Sequence, residues 1–318
     1  MMVTILMATF NGAEYLTEQL HSIIAQSYTD WELIIRDDCS SDLTVAIIEK
    51  YVQADSRIKL LPLAGKHGSA TTNFSVLFDY ARSLGTPYVM FADQDDIWKA
   101  DKIERFLNFI QLQEQKLEPS LPILVYGGVE YVDVHGKVIP QELRMPDELD
   151  FNILLTGNHA YGCTMILNRA LVERIGHIPH SAENHDYWVA LVACALGKAV
   201  LNPEKLVGYR QHANNVSGNV YRNRLPSRLN RYIKHLDTLL PVFMKNYKMV
   251  NAFYAIYKDD LNAETAALVS GYINAYERGD GPLLYFMVRN KLRKLGLMQT
   301  FAHYYMLMQL RSKVLRRL

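Results

Sequence analysis

Short apolar runs alternate along the first part of the chain with stretches whose apolar positions recur every three or four residues. Val3 to Ala8 (VTILMA) reads as a buried strand, followed by a turn at Thr9-Phe10-Asn11-Gly12. Leu16, Leu20, Ile23 and Ile24 then fall at helical spacing. Trp31 to Arg36 predicts a second strand and Leu43 to Tyr51 a helix that Ser41 or Asp42 can cap. Arg57 to Leu61, Asn73 to Leu84 and Tyr88 to Ala92 continue as strand, helix and strand. Such alternation predicts an α/β fold with a mostly parallel sheet and right-handed crossovers. Ligands of open sheets of this kind bind beyond the carboxyl ends of the strands, so the residues just after each strand carry the chemical information.

A helix from Lys99 to about Gln115 and a strand near Ile123 to Tyr126 follow, and the pattern then loosens through a Pro- and acid-rich stretch around Pro140 to Asp150. A further strand is expected over Cys163 to Leu167 and a helix from about His185 to Leu196. From Tyr221 onward the chain is helical by period and rich in Tyr. The expected organisation is residues 1–218 as one domain, divided into 1–125 and 126–218, with a helical extension over 219–318.

Composition sharpens this division. The 318 residues carry a net charge of +1, but residues 219–318 hold 17 basic and 6 acidic side chains, and residues 1–218 hold 17 and 27. An acidic first part argues against nucleic acid as partner, because duplex binding rests on cations neutralising phosphates. The sequence has no uninterrupted run of about 18 apolar residues, the length that spans a bilayer, and the first apolar stretch lacks the basic flank of a signal peptide. Three widely spaced cysteines, Cys39, Cys163 and Cys194, form neither a disulfide framework nor a CxxC site, which fits a reducing cytoplasm.

Acidic residues gather where ligands are expected. Asp37 and Asp38 end the second strand, and Asp93, Gln94, Asp95 and Asp96 end the fourth. Adjacent carboxylates repel, so a cluster at a sheet edge calls for compensation by cations or N–H donors. A hard divalent ion, Mg²⁺ or Mn²⁺, bridging to phosphate oxygens is the natural compensator. Turn formation and helix capping are the plainer roles, and Asp42 and Asp96 fit them equally well. Neither GxGxxG nor GxxxxGK[ST] is present, which excludes the common dinucleotide and triphosphatase fingerprints.

The segments "MATFNG", "EQLHSIIAQSYTDWELIIRDDCSSD", "FADQDDIWKADKIE", "HDYWVALVACALG" and "YRQHANNVSG" occur in that order over residues 1 to about 218. Together they resemble the bacterial family 2 inverting glycosyltransferases of the GT-A fold, a Rossmann-like sheet flanked by helices, and most closely a rhamnosyltransferase-like subgroup. The resemblance implies that Ala8, Thr9 and Asn11 line a nucleotide pocket and that Asp38 accepts from the pyrimidine imide. It implies donor contacts for Asp93 and Gln94, a metal on Asp95, and His212 reaching the metal or diphosphate. Arg210 would neutralise the diphosphate or pair with a surface carboxylate. Asp186 stands where the family has its catalytic base, and His185 replaces the acidic residue that often precedes it. Gly162, His185 and Trp188 fall on the acceptor side, although the apolar spacing around Trp188 favours the core.

The implied activity is transfer of a sugar, with dTDP-rhamnose as first donor and UDP-sugars as second, to a hydroxyl of a bacterial surface polysaccharide precursor that is lipid-linked or free. Rival expectations are a metal-dependent nucleotidyltransferase and a non-catalytic sugar-nucleotide or glycan-binding module. From Pro282 to Leu318 there are eight Lys or Arg and no acidic residue, interleaved with apolar ones. This tail fits a peripheral contact with the inner face of the cell membrane, or equally packing on the catalytic domain or a second subunit in a homodimer.

Overall fold

The central strand β1 (Val3–Thr9) pairs in parallel with β2 (Trp31–Asp37) on one side and β4 (Tyr88–Ala92) on the other in the computed structural model. β4 is wholly apolar and β1 nearly so, and β2 keeps an apolar Leu33–Ile35 centre between Glu32 and Arg36, as suits strands buried on both faces. The structure describes residues 1–62, 68–118, 120–141, 145–146, 148–213, 215, 236–296, 300–301 and 304, with backbone alone for 236–243 and 280. With β3 (Ile58–Leu60), β5 (Ile97–Trp98), β6 (Ile123–Val132), β7 (Ile166–Asn168) and β8 (Lys198–Arg210), the sheet runs in the order β3-β2-β1-β4-β7-β6-β8-β5. It is mostly parallel, but β7 runs antiparallel to both β4 and β6, and β5 antiparallel to β8.

Helix α1 (Ala13–Ile24) buries Leu16, Leu20 and Ile23, the predicted stripe. Helix α2 spans Thr44–Ala54, and Asp42 accepts from the Thr44 N–H at 3.0 Å ahead of it. Helix α3 (Ala70–Leu84) starts on a Ser69 cap and ends on Gly85 in the left-handed region at φ 71. Helix α4 begins at Lys102, not Lys99, and runs to Lys116. Its start is capped from outside: the Gln26 amide accepts from the Ile103 N–H and donates to the Lys99 carbonyl.

Two expectations are corrected in the second half. Gly162–Thr164 forms a single 3₁₀ turn, and the strand after it is Ile166–Asn168 rather than Cys163 to Leu167. The Thr164 and Met165 N–H groups are taken by the Tyr161 and Gly162 carbonyls, which closes a turn where a strand would leave them for a neighbour. The strand expected near Ile123 to Tyr126 is also longer: β6 continues to Val132 and pairs with the long β8, with register shifts around Gly127 and Gly128. Helices α5 (Phe151–Leu154), α6 (Arg169–Ile175) and α7 (His185–Leu196) follow in chain order.

Two compact units divide the chain. The first holds 1–143, 160–180 and 184–211; the second holds 144–159, 181–183 and 212–318. Within the second lie α8 (Leu236–Tyr257), α9 (Ala263–Arg278) and α10 (Asp280–Arg289). Tyr247 stacks on Tyr276 at 4.1 Å, and Phe151 meets Phe253 at 5.7 Å. Of the basic tail, residues 297–299, 302–303 and 305–318 lie outside the described residues. Among its four described cations, Arg293 pairs with Asp150 at 2.9 Å and Lys294 donates to the Thr156 carbonyl. Both have partners inside the unit, although Arg293 stays exposed. No helix among the described residues is long and apolar enough to cross a membrane.

Candidate active site

Strand ends β1, β2 and β4 place the predicted donor residues side by side. Thr9 Oγ1 donates to Asp37 Oδ1 at 2.9 Å, and Ser40 donates to Asp37 through both its N–H and its hydroxyl. Asp37 is therefore consumed in holding the loop after β2. Asp38, beside it, accepts from the Gly68 N–H at 2.8 Å and lies 3.6 Å from the buried guanidinium of Arg36. Asn11 takes a positive φ of 46, which its short amide tolerates. Its Oδ1 accepts from the Ser41 N–H and its own N–H donates to Ser40 Oγ. The Gln94 amide pairs with the Phe10 backbone in both directions, at 2.9 and 3.1 Å, tying the turn after β1 to the segment after β4. Ala8 is half-buried at the end of β1.

Charge density rises at the end of β4. One ligand atom each of Asp93, Asp96 and Cys163 lies within 4.8 Å of the others. Burial, then repulsion from Asp95 and Asp186, pushes the Asp93 carboxyl up to about 7. Asp96, buried beneath it, is raised well above the carboxylate range by burial and by Asp93 and Asp95. Lys102 is fully buried and is pushed down to about 7, burial outweighing the attraction of Asp96 and Asp93. Asp93 and Asp96 are thus crowded enough to hold on to protons, and a cation relieves the same repulsion; hard oxygen donors in such a cluster suit a divalent ion. The Cys163 thiol, raised by burial and by the two carboxylates, is no thiolate ligand.

Asp186 is the second residue of α7. Asn184 occupies the cap position, so the plainer role of helix cap does not fall to Asp186. Its Oδ2 accepts from the Gly162 N–H at 3.0 Å and its Oδ1 from the Tyr187 N–H at 2.7 Å. Two N–H donors and a helix N-terminus favour the ionised form. The Asp186 carboxylate stands near enough to Asp93 to raise its proton affinity. His185 is buried, stacked on Phe74 at 3.8 Å and against Phe91 at 4.8 Å, and burial pushes it down to about 3. Neutral at ordinary pH, it is a wall of the site rather than a cation. A Cβ on Gly162 would stand 2.7 Å from His185 Nε2.

Two predicted residues are enclosed by their surroundings. Trp188 is fully buried, so its indole offers no face to a sugar. Arg210 is fully buried too, and its guanidinium pairs with Glu18 and donates to the Asp95 and Val134 carbonyls. It shapes the acidic loop from behind. His212 belongs to the second unit, where its N–H donates to Asn215 Oδ1. Lys102 is the residue that sequence reasoning missed. Its signal was its register: it shares the α4 face of Ile103, Phe106, Leu107 and Ile110, all buried.

The sequence model of Glycosyl transferase family 2 matches residues 4–176. The Bacillus subtilis (strain 168) protein TuaG, named as a teichuronic acid biosynthesis glycosyltransferase, is 30% identical over 70% of this chain and 83% of its own. The dTDP-rhamnosyl transferase RfbG of Shigella flexneri is 29% identical over 67% of this chain and 73% of its own. Among solved structures, S. aureus TarS 1-349 in complex with UDP-GlcNAc superposes with a TM-score of 0.56 at 16% identity, covering 99% of this chain and 92% of that one, a likeness of fold.

Proposed function

Because this chain belongs to glycosyl transferase family 2 and is a glycosyltransferase, we propose that it moves a sugar, with inversion, from a nucleoside diphosphate donor to a hydroxyl of a bacterial surface or extracellular polysaccharide precursor. The observation that carries the reading is Asp186, an ionisable carboxylate held by two N–H groups close enough to Asp93 to perturb it. In the proposed reaction the acceptor oxygen attacks the anomeric carbon from the face opposite the diphosphate. Asp186 takes the hydroxyl proton as the new C–O bond forms. The anomeric C–O bond to phosphate breaks, and its electron pair leaves with the nucleoside diphosphate.

Asp38 and the Ala8–Asn11 turn receive the nucleoside, and Asp93 and Gln94 border the donor sugar. Asp95 and Asp93 would hold a divalent cation, Mg²⁺ or Mn²⁺, which supplies positive charge to the leaving diphosphate. The likeness to the Shigella protein supports dTDP-rhamnose as the first donor to try, and the TarS fold supports UDP-sugars as the second. Exposed Tyr285 and Val288, one turn apart on α10 beside Arg289, support a peripheral membrane contact for a lipid-linked acceptor.

The test is a thermal-shift screen of dTDP-rhamnose, UDP-GlcNAc and UDP-glucose with Mn²⁺ and with EDTA, followed by assay of nucleoside diphosphate release. A donor at 100 times its Kd adds about 2.7 kcal/mol to apparent stability. The expected outcome is a metal-dependent rise in Tm with at least one donor, followed by turnover. Binding without any turnover, or turnover indifferent to EDTA, would count against the reading.

A further inference from the structure

Lys102 is fully buried, in a residue type almost never found so. Burying an ammonium carries a large desolvation cost unless the charge is well used. The nearby carboxylates of Asp93 and Asp96 suggest simple charge balance, yet Lys102 makes no ion pair within 4.0 Å among the described residues. Its Nζ instead lies 3.1 Å from the Trp98 ring centroid and donates to the Cys163 carbonyl at 2.7 Å. That carbonyl is the middle one of the Gly162–Thr164 turn. The turn is closed on itself by Thr164 N–H to the Tyr161 carbonyl at 2.9 Å and Met165 N–H to the Gly162 carbonyl at 3.0 Å. A turn so braced moves as one piece, and its leading N–H is the Gly162 group that holds Asp186 Oδ2.

We propose that Lys102 is a positioning residue: it pins the Gly162–Thr164 turn from the α4 side, and through the Gly162 N–H it fixes where the Asp186 carboxylate stands. The inference rests on Asp186 being the base. The chain of contact runs from the ammonium to the Cys163 carbonyl, through a rigid turn of three residues, to the carboxylate. Charge balance with Asp93 and Asp96 makes the buried cation tolerable, while the carbonyl bond gives it direction.

The experiment compares wild type, Lys102→Met and the charge-balanced Lys102→Met/Asp96→Asn. The readouts are hydrolysis of dTDP-rhamnose or UDP-GlcNAc, whichever the screen selects, nucleoside diphosphate affinity with Mn²⁺, and Tm. The expected result is a kcat lower by about 10- to 100-fold in both variants, as for a small displacement of a reacting group. Nucleotide Kd should stay within about 3-fold, and the double variant should recover Tm without recovering kcat. Full kcat in either variant, or a loss confined to nucleotide affinity, overturns the proposal. If Lys102→Met does not fold, the double variant decides alone. An Asp186→Asn control that keeps its hydrolysis would instead sink the base assignment, so the two failures are distinguishable.

Discussion

The Gly162 N–H donates to Asp186 Oδ2 at 3.0 Å, and the same glycine has no room for a side chain, because a Cβ would stand 2.7 Å from His185 Nε2 and 3.3 Å from Asp186 Cβ. One backbone position therefore both holds the Asp186 carboxylate and excludes anything that would push it aside.

Asp186→Asn should keep the fold and lose the reaction. The amide oxygen can keep one of the two N–H groups, Gly162 or Tyr187, while its NH2 faces the other, a local cost of about 1–3 kcal/mol, and it cannot take a proton. Turnover is expected to fall by about 10²- to 10⁴-fold, with nucleotide affinity changed by less than about 3-fold. Activity assays beside calorimetric titration of nucleoside diphosphate check both halves.

Gly162→Ala should damage stability and activity together. Overpacking of this kind costs about 1–3 kcal/mol, and here the atom that must yield is the ring of a buried histidine wedged against Phe74 and Phe91. Urea unfolding should show the loss, and kcat should fall further than for any substitution at exposed residues of the same unit.

His185 gives stability an acid-side slope. Its folded pKa is depressed by burial to about 3 from an ordinary 6.5, so between those values the unfolded chain binds a proton that the native state refuses. Its contribution is fully present above pH 6.5 and is lost as pH falls toward 3, on the order of 1 kcal/mol per pH unit. His185→Phe, which preserves the aromatic stack, should lose less stability than wild type between pH 7 and pH 4.5 in chemical denaturation. Equal slopes would refute the assignment.

Gly12→Ala should act on the donor side. A Cβ there falls 2.3 Å from Gln94 Oε1, and the amide that must move is the one joined to the Phe10 backbone in both directions. Losing those two bonds is expected to weaken nucleotide binding by about 1–2 kcal/mol, roughly 5- to 30-fold. Tm without ligand should change little, since Gln94 is a flexible side chain.

Arg210→Met should lower stability by about 1–3 kcal/mol, because its bonds to Glu18 and to the Asp95 and Val134 carbonyls are lost. Were Arg210 a diphosphate ligand, the loss would fall on donor affinity with Tm unchanged. Thermal denaturation and titration of the same sample separate the two.

Much of this was legible in the amino-acid order. Strands β1, β2 and β4 are covered on both faces, so they write themselves as apolar runs, and the residues after them read directly as chemistry. Helix α7 starts at His185 as expected, because the polar Glu183-Asn184 pair precedes a long apolar stretch. Strand β8 was illegible: Pro203, Glu204 and Lys205 interrupt it, and its pairing with β6 is irregular there. For Arg210 the pairing with a surface carboxylate was one of two readings, and Glu18 takes it; the burial of Arg210 and of Lys102 was not legible. A cation in a sequence looks solvated, and only tertiary packing reveals that it is enclosed. The turn at Gly162 was taken for strand because Cys163 to Leu167 is apolar, and periodicity cannot tell a buried turn from a buried strand over so short a run.

Strand β5 lies immediately beyond the Asp93–Asp96 segment, and it pairs only with β8, Ile97 opposite Gly208 and Trp98 opposite Val207. A ribosome must therefore deliver more than a hundred further residues before the acidic loop is clamped at its far end. Until then the three carboxylates of Asp93, Asp95 and Asp96 sit on a nascent chain without that clamp, and a contact of such long sequence separation forms late. Premature termination anywhere before β8 yields a polypeptide with most of its nucleotide-facing strands and no finished loop between them.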